Sequence, residues 1–417
     1  MKLRDKTRRR IARTILALFG WVPIVLLIVA AFFIRSKTCS EWVESSLANS
    51  LEMQVDFDSF ERPRWDTSRF KGVTLSDAET GEPIMKCASL EVEHQHTKTP
   101  IPLLRIRIQD CKVYTDNTVS LWSFIHRSFA HRRLWKNMKV EFSAKNVSFN
   151  NASPQTIRYM KGTLIDVKDG SEGIFALFLN EQTEEGKFIE LKEPVLLKIA
   201  RIKNPSPATT TVTLDSTKCP LASEMISHWY APAKRLGEKA RFHGIVTAAN
   251  SGMGWNGNLA GDFNNIDLSQ LFVSADKLQC IGSANVSIKN AVFISQRFIS
   301  AHGRLDAQNG TITREMLDTL VSQFHLYGGG AFNRYQDATP FKQIAFEFDF
   351  ENDMIALTGK CNQCTPGTIV NGELPLIREP FNPANKFPVA VFMKNFSSAN
   401  DNQQYYQIAQ PTANPIR

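Results

Sequence analysis

Two short motifs have the spacing that chemistry asks for. Cys361-Asn-Gln-Cys364 sets two thiols as a zinc knuckle or a redox dithiol would, and Asp56-Phe-Asp58 sets two carboxylates as the metal-nucleotide site of a glycosyltransferase would. Both lack the company they need. A zinc site takes further ligands at matching spacing, and the sequence has no second close cysteine pair; a redox dithiol opens a helix, whereas Thr365-Pro366-Gly367 is turn chemistry. A local disulfide or free thiols is the simpler reading there, with zinc and redox chemistry as alternatives. Asp56 and Asp58 alternate with Val55 and Phe57, which makes both the wet face of a strand.

No other motif in the sequence completes a site. Among the eight histidines only His94 and His96 share a strand face, which is two ligands at most. There is no Gly-x-Ser-x-Gly elbow, no phosphate loop ending in Gly-Lys and no His-Glu-x-x-His pair. Gly252-Met-Gly254 and Gly328-Gly-Gly330 lack the strand-loop-helix setting of a nucleotide fingerprint and read as turns. The expectation is a protein that is not an enzyme, with no catalytic residue, no cofactor and no metal. The seven cysteines, at 39, 87, 111, 219, 280, 361 and 364, are scattered and odd in number, so no pairing follows from them.

The elements that would position any site begin at a membrane. Lys2, Arg4, Lys6, Arg8, Arg9, Arg10 and Arg13 run into an uncharged apolar stretch, residues 15–34. As a helix this reaches about 30 Å, enough to cross a bilayer once. It is too long for the apolar region of a signal peptide and ends on Phe32-Phe33-Ile34 rather than on small residues, so a retained transmembrane helix is expected. The positive flank puts residues 1–14 in the cytoplasm as a basic head and exports the rest. The overall charge of +8 belongs to this anchor: up to Lys37 there are nine basic residues against Asp5, leaving 40 of each sign beyond it. Nucleic acid is excluded as a partner on that balance.

Beyond the anchor the grammar is antiparallel β. Helices are expected over Ser40–Leu51, Val119–Trp135, Pro220–Glu238 with a break near Pro232, and Thr313–Phe324; the second, basic and aromatic, would pack on its own sheet or lie on a membrane. Between them period-two alternation dominates. Leu104, Ile106 and Ile108 alternate with Arg105, Arg107 and Gln109; Val286 and Ile288 with Ser287 and Lys289; Ile344, Phe346, Phe348 and Phe350 with Ala345, Glu347, Asp349 and Glu351. The organisation expected is a first β-rich region over residues 38–218, a second over 219–379 and a loosely ordered tail over 380–417, rich in Pro, Asn and Gln.

In this order the motifs resemble the bacterial AsmA-like family of envelope proteins. The opening is similar: a basic head, one span, a short helix, then strand-turn-strand around Gly72-Val-Thr-Leu-Ser-Asp77 with Thr80-Gly81 and the strand at Leu90. Trp255-Asn-Gly-Asn-Leu-Ala-Gly261 with Ile266-Asp-Leu-Ser-Gln-Leu271 resembles the family's repeated strand, and Gly303 to Thr313 with Leu317 and Leu320, then Ile344 to Gly359, its C-terminal unit. The resemblance implies an extended, curved, mostly antiparallel β-sheet, a β-groove with short packing helices, whose apolar face takes acyl chains. Its implied partners are membrane lipids and envelope assembly proteins, and its place is the inner (cytoplasmic) membrane with the bulk in the periplasm. The groove candidates are Leu104, Ile106, Ile108, Val286, Ile288, Ile344, Phe346, Phe348 and Phe350. Two other readings stand beside lipid transfer or envelope assembly: an anchored protein-interaction module whose sheet closes on an ordinary core, and an unrecognised transferase using Asp56 and Asp58.

Overall fold

A computed structural model describes residues 37–95, 101–114, 125, 129, 138–149 and 155–388, the last with short gaps at 168, 184, 204–206, 228–230, 253, 272–277, 295–296, 330–336 and 381–385. The expected membrane span at 15–34 lies outside the described residues, as do the basic head, His96 and most of the expected helix at 119–135. Among the described residues no helix is long and apolar enough to cross a membrane. The described residues are mostly β, with few helices. Its contacts divide it into two compact units, residues 1–150 and 151–417; the expected boundary at 218/219 thus falls inside the second unit.

In the first unit, helix α1 (Lys37–Leu51) leads to β1 (Gln54–Asp56), β2 (Ser59–Arg64), β3 (Thr67–Ser76), β4 (Pro83–Gln95), β5 (Leu103–Val113) and β6 (Lys139–Phe149). β1 and β2 both pair with β3, which continues to β4 and β5 in antiparallel sense. β6 then joins β5 in parallel, within a sheet expected to be mostly antiparallel. A parallel neighbour needs a long crossover, and residues 114–138 supply it. The inward positions change parity along these strands: Ile108 and Cys111 are both buried although three apart. Asp110 and Asn146 have left-handed φ, and Asn146 Nδ2 donates to Asp110 Oδ1 at 2.8 Å, so the switch is aligned across neighbouring strands.

The outer face of this unit carries a charge ladder. Glu91 accepts from Arg69 at 2.8 Å and from Arg107 at 2.6 Å; Arg107 also donates to Glu93 at 2.9 Å, and Arg105 to Glu141 at 3.1 Å. The Arg69 hydrogen bond, aided by Arg107 against the opposing effect of burial, holds the Glu91 carboxyl below its ordinary value of 4.5. A carboxyl depressed on folding adds stability that is complete above its unfolded value and is lost as pH falls through the folded one. Thermal unfolding of Glu91→Gln against the parent should therefore show a gap at pH 7 that closes as pH drops below about 4.5. A gap unchanged down to pH 3 would refute the assignment.

The second unit is built on one long meander. β7 (Gln155–Val167), β8 (Gly170–Gln182), β9 (Phe188–Glu190), β10 (Val195–Ile202), β11 (Thr209–Asp215) and β12 (Leu221–Ala222) are followed by helix α2 (Ser223–Ser227) and a 3₁₀ turn, Ala231–Leu236. The single broken helix expected over 220–238 is thus a strand and two short turns of helix. Ser223 explains the change: its Oγ donates to Gly237 O at 2.7 Å and its N–H to Ala240 O, folding the segment back before it can lengthen. Then come β13 (Arg241–Asn250), β14 (Trp255–Asp267), helix α3 (Leu268–Leu271), β15 (Cys280–Ile294), β16 (Arg297–Thr313), helix α4 (Arg314–Gln323), β17 (Tyr327–Gly328), β18 (Ala338–Glu351), β19 (Met354–Gly359), β20 (Thr368–Asn371), β21 (Pro375–Arg378) and β22 (Phe387–Pro388).

The pairing β7-β8-β10-β11-β13-β14-β15-β16-β18 is antiparallel throughout. β19 and β20 both flank β18, β21 follows β20, and β17 pairs with β21. Gly328 therefore belongs to a strand, and Gly329 N–H donates to Leu376 O at 2.8 Å, where the sequence suggests a turn. β22 pairs with β19, and Phe387 is buried with its ring 4.8 Å from that of Phe324. Phe387 and Pro388, inside the stretch expected to be a loosely ordered tail, are thus joined to the core. That core lies under α4, where Leu317, Phe324, Ile312, Leu376 and Ile377 are all but fully buried.

Candidate functional site

Directly paired residues of an antiparallel sheet share a face, so the register of the meander says which side chains stand together. Phe346, Leu305, Val286, Phe263, Phe242 and Leu221 form one row across six strands. Phe348, Gly303, Ile288, Gly261 and Gly244 form the next. A third runs through Phe350, Ala301, Ala291, Leu259, Val246, Leu214, Leu197 and Phe175 to Gly162 on β7. Every member is apolar. The opposite face carries Glu347, Asp349, His302, Arg304, Asn285, Ser287, Asn258, Asp262, His243 and Lys198 by the same registers.

Coverage of the apolar face is uneven. Near the first row, α4 and the strands after it seal a core. Along the third row Phe350, Leu259, Val246, Leu214, Leu197 and Phe175 are only half-buried. At about 4.8 Å per strand, the nine strands of that row extend roughly 38 Å. On the same face, within that core, there is a cavity of about 280 Å³ whose accessible lining is wholly apolar. Met316 and Leu320 of α4 with Phe324 at its end, Leu305, Ile344, Phe346 and Phe348 of β16 and β18, and Ile355, Leu357 and Phe387 of β19 and β22 are among its walls.

Gly303 allows this wall to form. The Phe348 ring lies across it from the paired strand, and a Cβ at this position would meet Ser287 O and the ring, each at 2.5 Å. Gly303→Ala should cost about 1–3 kcal/mol, the usual cost of overpacking. Denaturant unfolding checks this, and an unchanged midpoint would count against the packing described.

Of the residues expected to form a groove, Val286, Ile288, Ile344, Phe346, Phe348 and Phe350 stand together on this one face. Ile344, Phe346 and Phe348 line the cavity, and Val286 packs against the core beside it. Leu104, Ile106 and Ile108 belong to the first unit. There Leu104 and Ile108 are buried and Ile106 is half-buried between Val92 and Phe142. In that unit Phe57 and Phe60 close over Phe70 at ring separations of 5.3 and 5.1 Å.

The motifs that could have done chemistry have structural surroundings. Asp56 is exposed and accepts from Gln54 Nε2 at 3.0 Å, while the Asp58 carboxylate sits against Gly72. Cys361 and Cys364 are free thiols in a turn: Cys364 Sγ donates to Cys361 O at 3.3 Å and Cys361 Sγ to Ile369 O at 3.2 Å. Burial pushes the Cys361 thiol up to about 12, the reverse of what a redox nucleophile needs. Among the described residues no group of three or more His, Cys, Asp or Glu could hold a metal.

Sequence reasoning passed over Leu305, Met316, Phe324, Leu357 and Phe387 in the cavity, and Leu259, Val246, Leu214, Leu197 and Phe175 on the half-buried row. The signal was present in Phe242-x-Gly244-x-Val246-x-Ala248 and Trp255-x-Gly257-x-Leu259-x-Gly261-x-Phe263, but glycine and alanine dilute the alternation there. A scan of protein-family models and a search of curated proteins return no match to this chain.

Proposed function

We propose that this protein binds the acyl chains of membrane lipids on the apolar face of its second unit, as an anchored, AsmA-like factor in lipid transfer or envelope assembly. The observation that carries the reading is a cavity of about 280 Å³ with wholly apolar accessible lining, on the same face of the sheet as a half-buried apolar row. A core built only for stability would be sealed by its own chain. The cavity is roughly twice the ~150 Å³ apolar hole that holds benzene, so it suits a segment of chain while the rest lies along the face. Each methylene moved from water onto such a surface gains about 0.8 kcal/mol. With no accessible polar atom in the lining, selection acts on the tail, and the headgroup stays in water.

In this reading residues 15–34 anchor the chain in the cytoplasmic membrane, the sheet is exported, and the open rows form a β-groove. No catalytic group is involved. The test is to extract the full chain in mild detergent, exchange it into lipid-free detergent and identify retained molecules by mass spectrometry. Retained phospholipid or fatty acid in stoichiometric amount supports the reading; a lipid-free protein that takes up no labelled phospholipid from vesicles refutes it. A second reading, docking of another protein, is favoured by one observation. Ile174, Leu196 and Ile202 on the opposite face of β8 and β10 are 46%, 39% and 48% exposed.

A further inference from the structure

Cys87 and Cys111 are direct partners across β4 and β5. The kind of pair they form follows from one hydrogen bond. Tyr114 N–H donates to Ile84 O at 2.9 Å, and these two residues continue the register that pairs Met85 with Val113. Ile84 and Tyr114 are thus a hydrogen-bonded pair, and the two kinds of pair alternate along an antiparallel ladder. Three steps on, Cys87 and Cys111 form a non-hydrogen-bonded pair, the kind with Cα atoms about 4.5 Å apart and side chains closest. A disulfide spans Cα separations of about 4.4–6.8 Å.

The surroundings favour an internal bond over any outside partner. Both residues are buried, and Val73 and Val147 continue their row on either side. Both are free thiols in the structure. Burial raises the Cys87 thiol to about 11; burial and the neighbouring Cys87 raise Cys111 to about 12. Little thiolate is available once the sheet has closed, so oxidation has to precede burial.

We propose that Cys87 and Cys111 become a cross-strand disulfide when the chain folds in an oxidising compartment. The inference rests on the exported placement of the sheet. Two thiols give up two protons and two electrons to a disulfide oxidant such as oxidised glutathione, which leaves as two glutathione thiols; one S–S bond forms in the protein. The product closes the loop between β4 and β5 and staples the centre of the first unit.

The full chain is taken from membranes, alkylated with N-ethylmaleimide in denaturant and digested without reduction. The expected result is one disulfide-linked species joining the peptides of Cys87 and Cys111, together with a lower unfolding midpoint for Cys87→Ala/Cys111→Ala or after reduction. Protease access to the sheet in sealed vesicles of known orientation is measured in parallel. An exported chain in which both cysteines carry maleimide overturns the disulfide and leaves the lipid reading standing. A chain found on the cytoplasmic side overturns the placement instead. The disulfide is then decided by refolding the full chain from denaturant in oxidised glutathione: a linked Cys87–Cys111 peptide supports it, and its absence refutes it.

Discussion

Leu259→Glu should strip the protein of bound lipid at least tenfold, while Asn258→Glu, one residue away on the same strand, should leave lipid content unchanged. The two positions belong to opposite faces of β14. Leu259 is half-buried in the long apolar row between Ala291 and Val246, and Asn258 is exposed. A carboxylate at 259 keeps its water only while no acyl chain lies over it; bringing a chain there desolvates the charge. A tenfold loss corresponds to about 1.4 kcal/mol, a small part of what an unpaired charge against hydrocarbon costs. The measurement is lipid per protein by mass spectrometry, with far-ultraviolet circular dichroism as the check on folding. Equal loss in both variants would mean that the face is not what is being read.

Phe324→Ala is the second large effect, on stability. Phe324 is 2% exposed at the end of α4, its ring stands 4.8 Å from Phe387, and both line the cavity. Its removal should cost about 3–5 kcal/mol, as Phe truncations in cores do. It should also release Phe387 and with it β22. Chemical denaturation gives the first figure, and earlier proteolysis after Arg378 reports the second. A loss below about 1 kcal/mol would contradict the packing of α4 over the sheet.

The strand-rich character was legible in the sequence because alternation is a local signal. Ile344 to Glu351 needs only its own order of residues to declare two faces, and Leu103–Val113 likewise. The parallel entry of β6 was not legible: it depends on the crossover at 114–138, and strand periodicity is the same in either sense. Nor could the sequence place Phe387, which stands in a Pro- and Asn-rich stretch and is buried only because β19 and Phe324 lie beside it. Cys87 and Cys111 show the same limit, for no spacing rule pairs them and only the register of β4 with β5 does. The side chains of the site divided in the same way. Those on strongly alternating strands, such as Phe346 and Phe348, were visible, whereas Leu259 and Val246 were hidden among glycines and alanines.

The central claim is that the third row of the sheet is open to a hydrocarbon tail, and photo-crosslinking reads it most directly. The full chain, reconstituted with a phospholipid carrying a diazirine in its acyl chain, is irradiated and its adducts are mapped by peptide mass spectrometry. The account predicts adducts on Leu197, Leu214, Val246 and Leu259, reduced by competing unlabelled phospholipid. Adducts confined to the opposite face at Ile174, Leu196 and Ile202, or none that competition reduces, would contradict it.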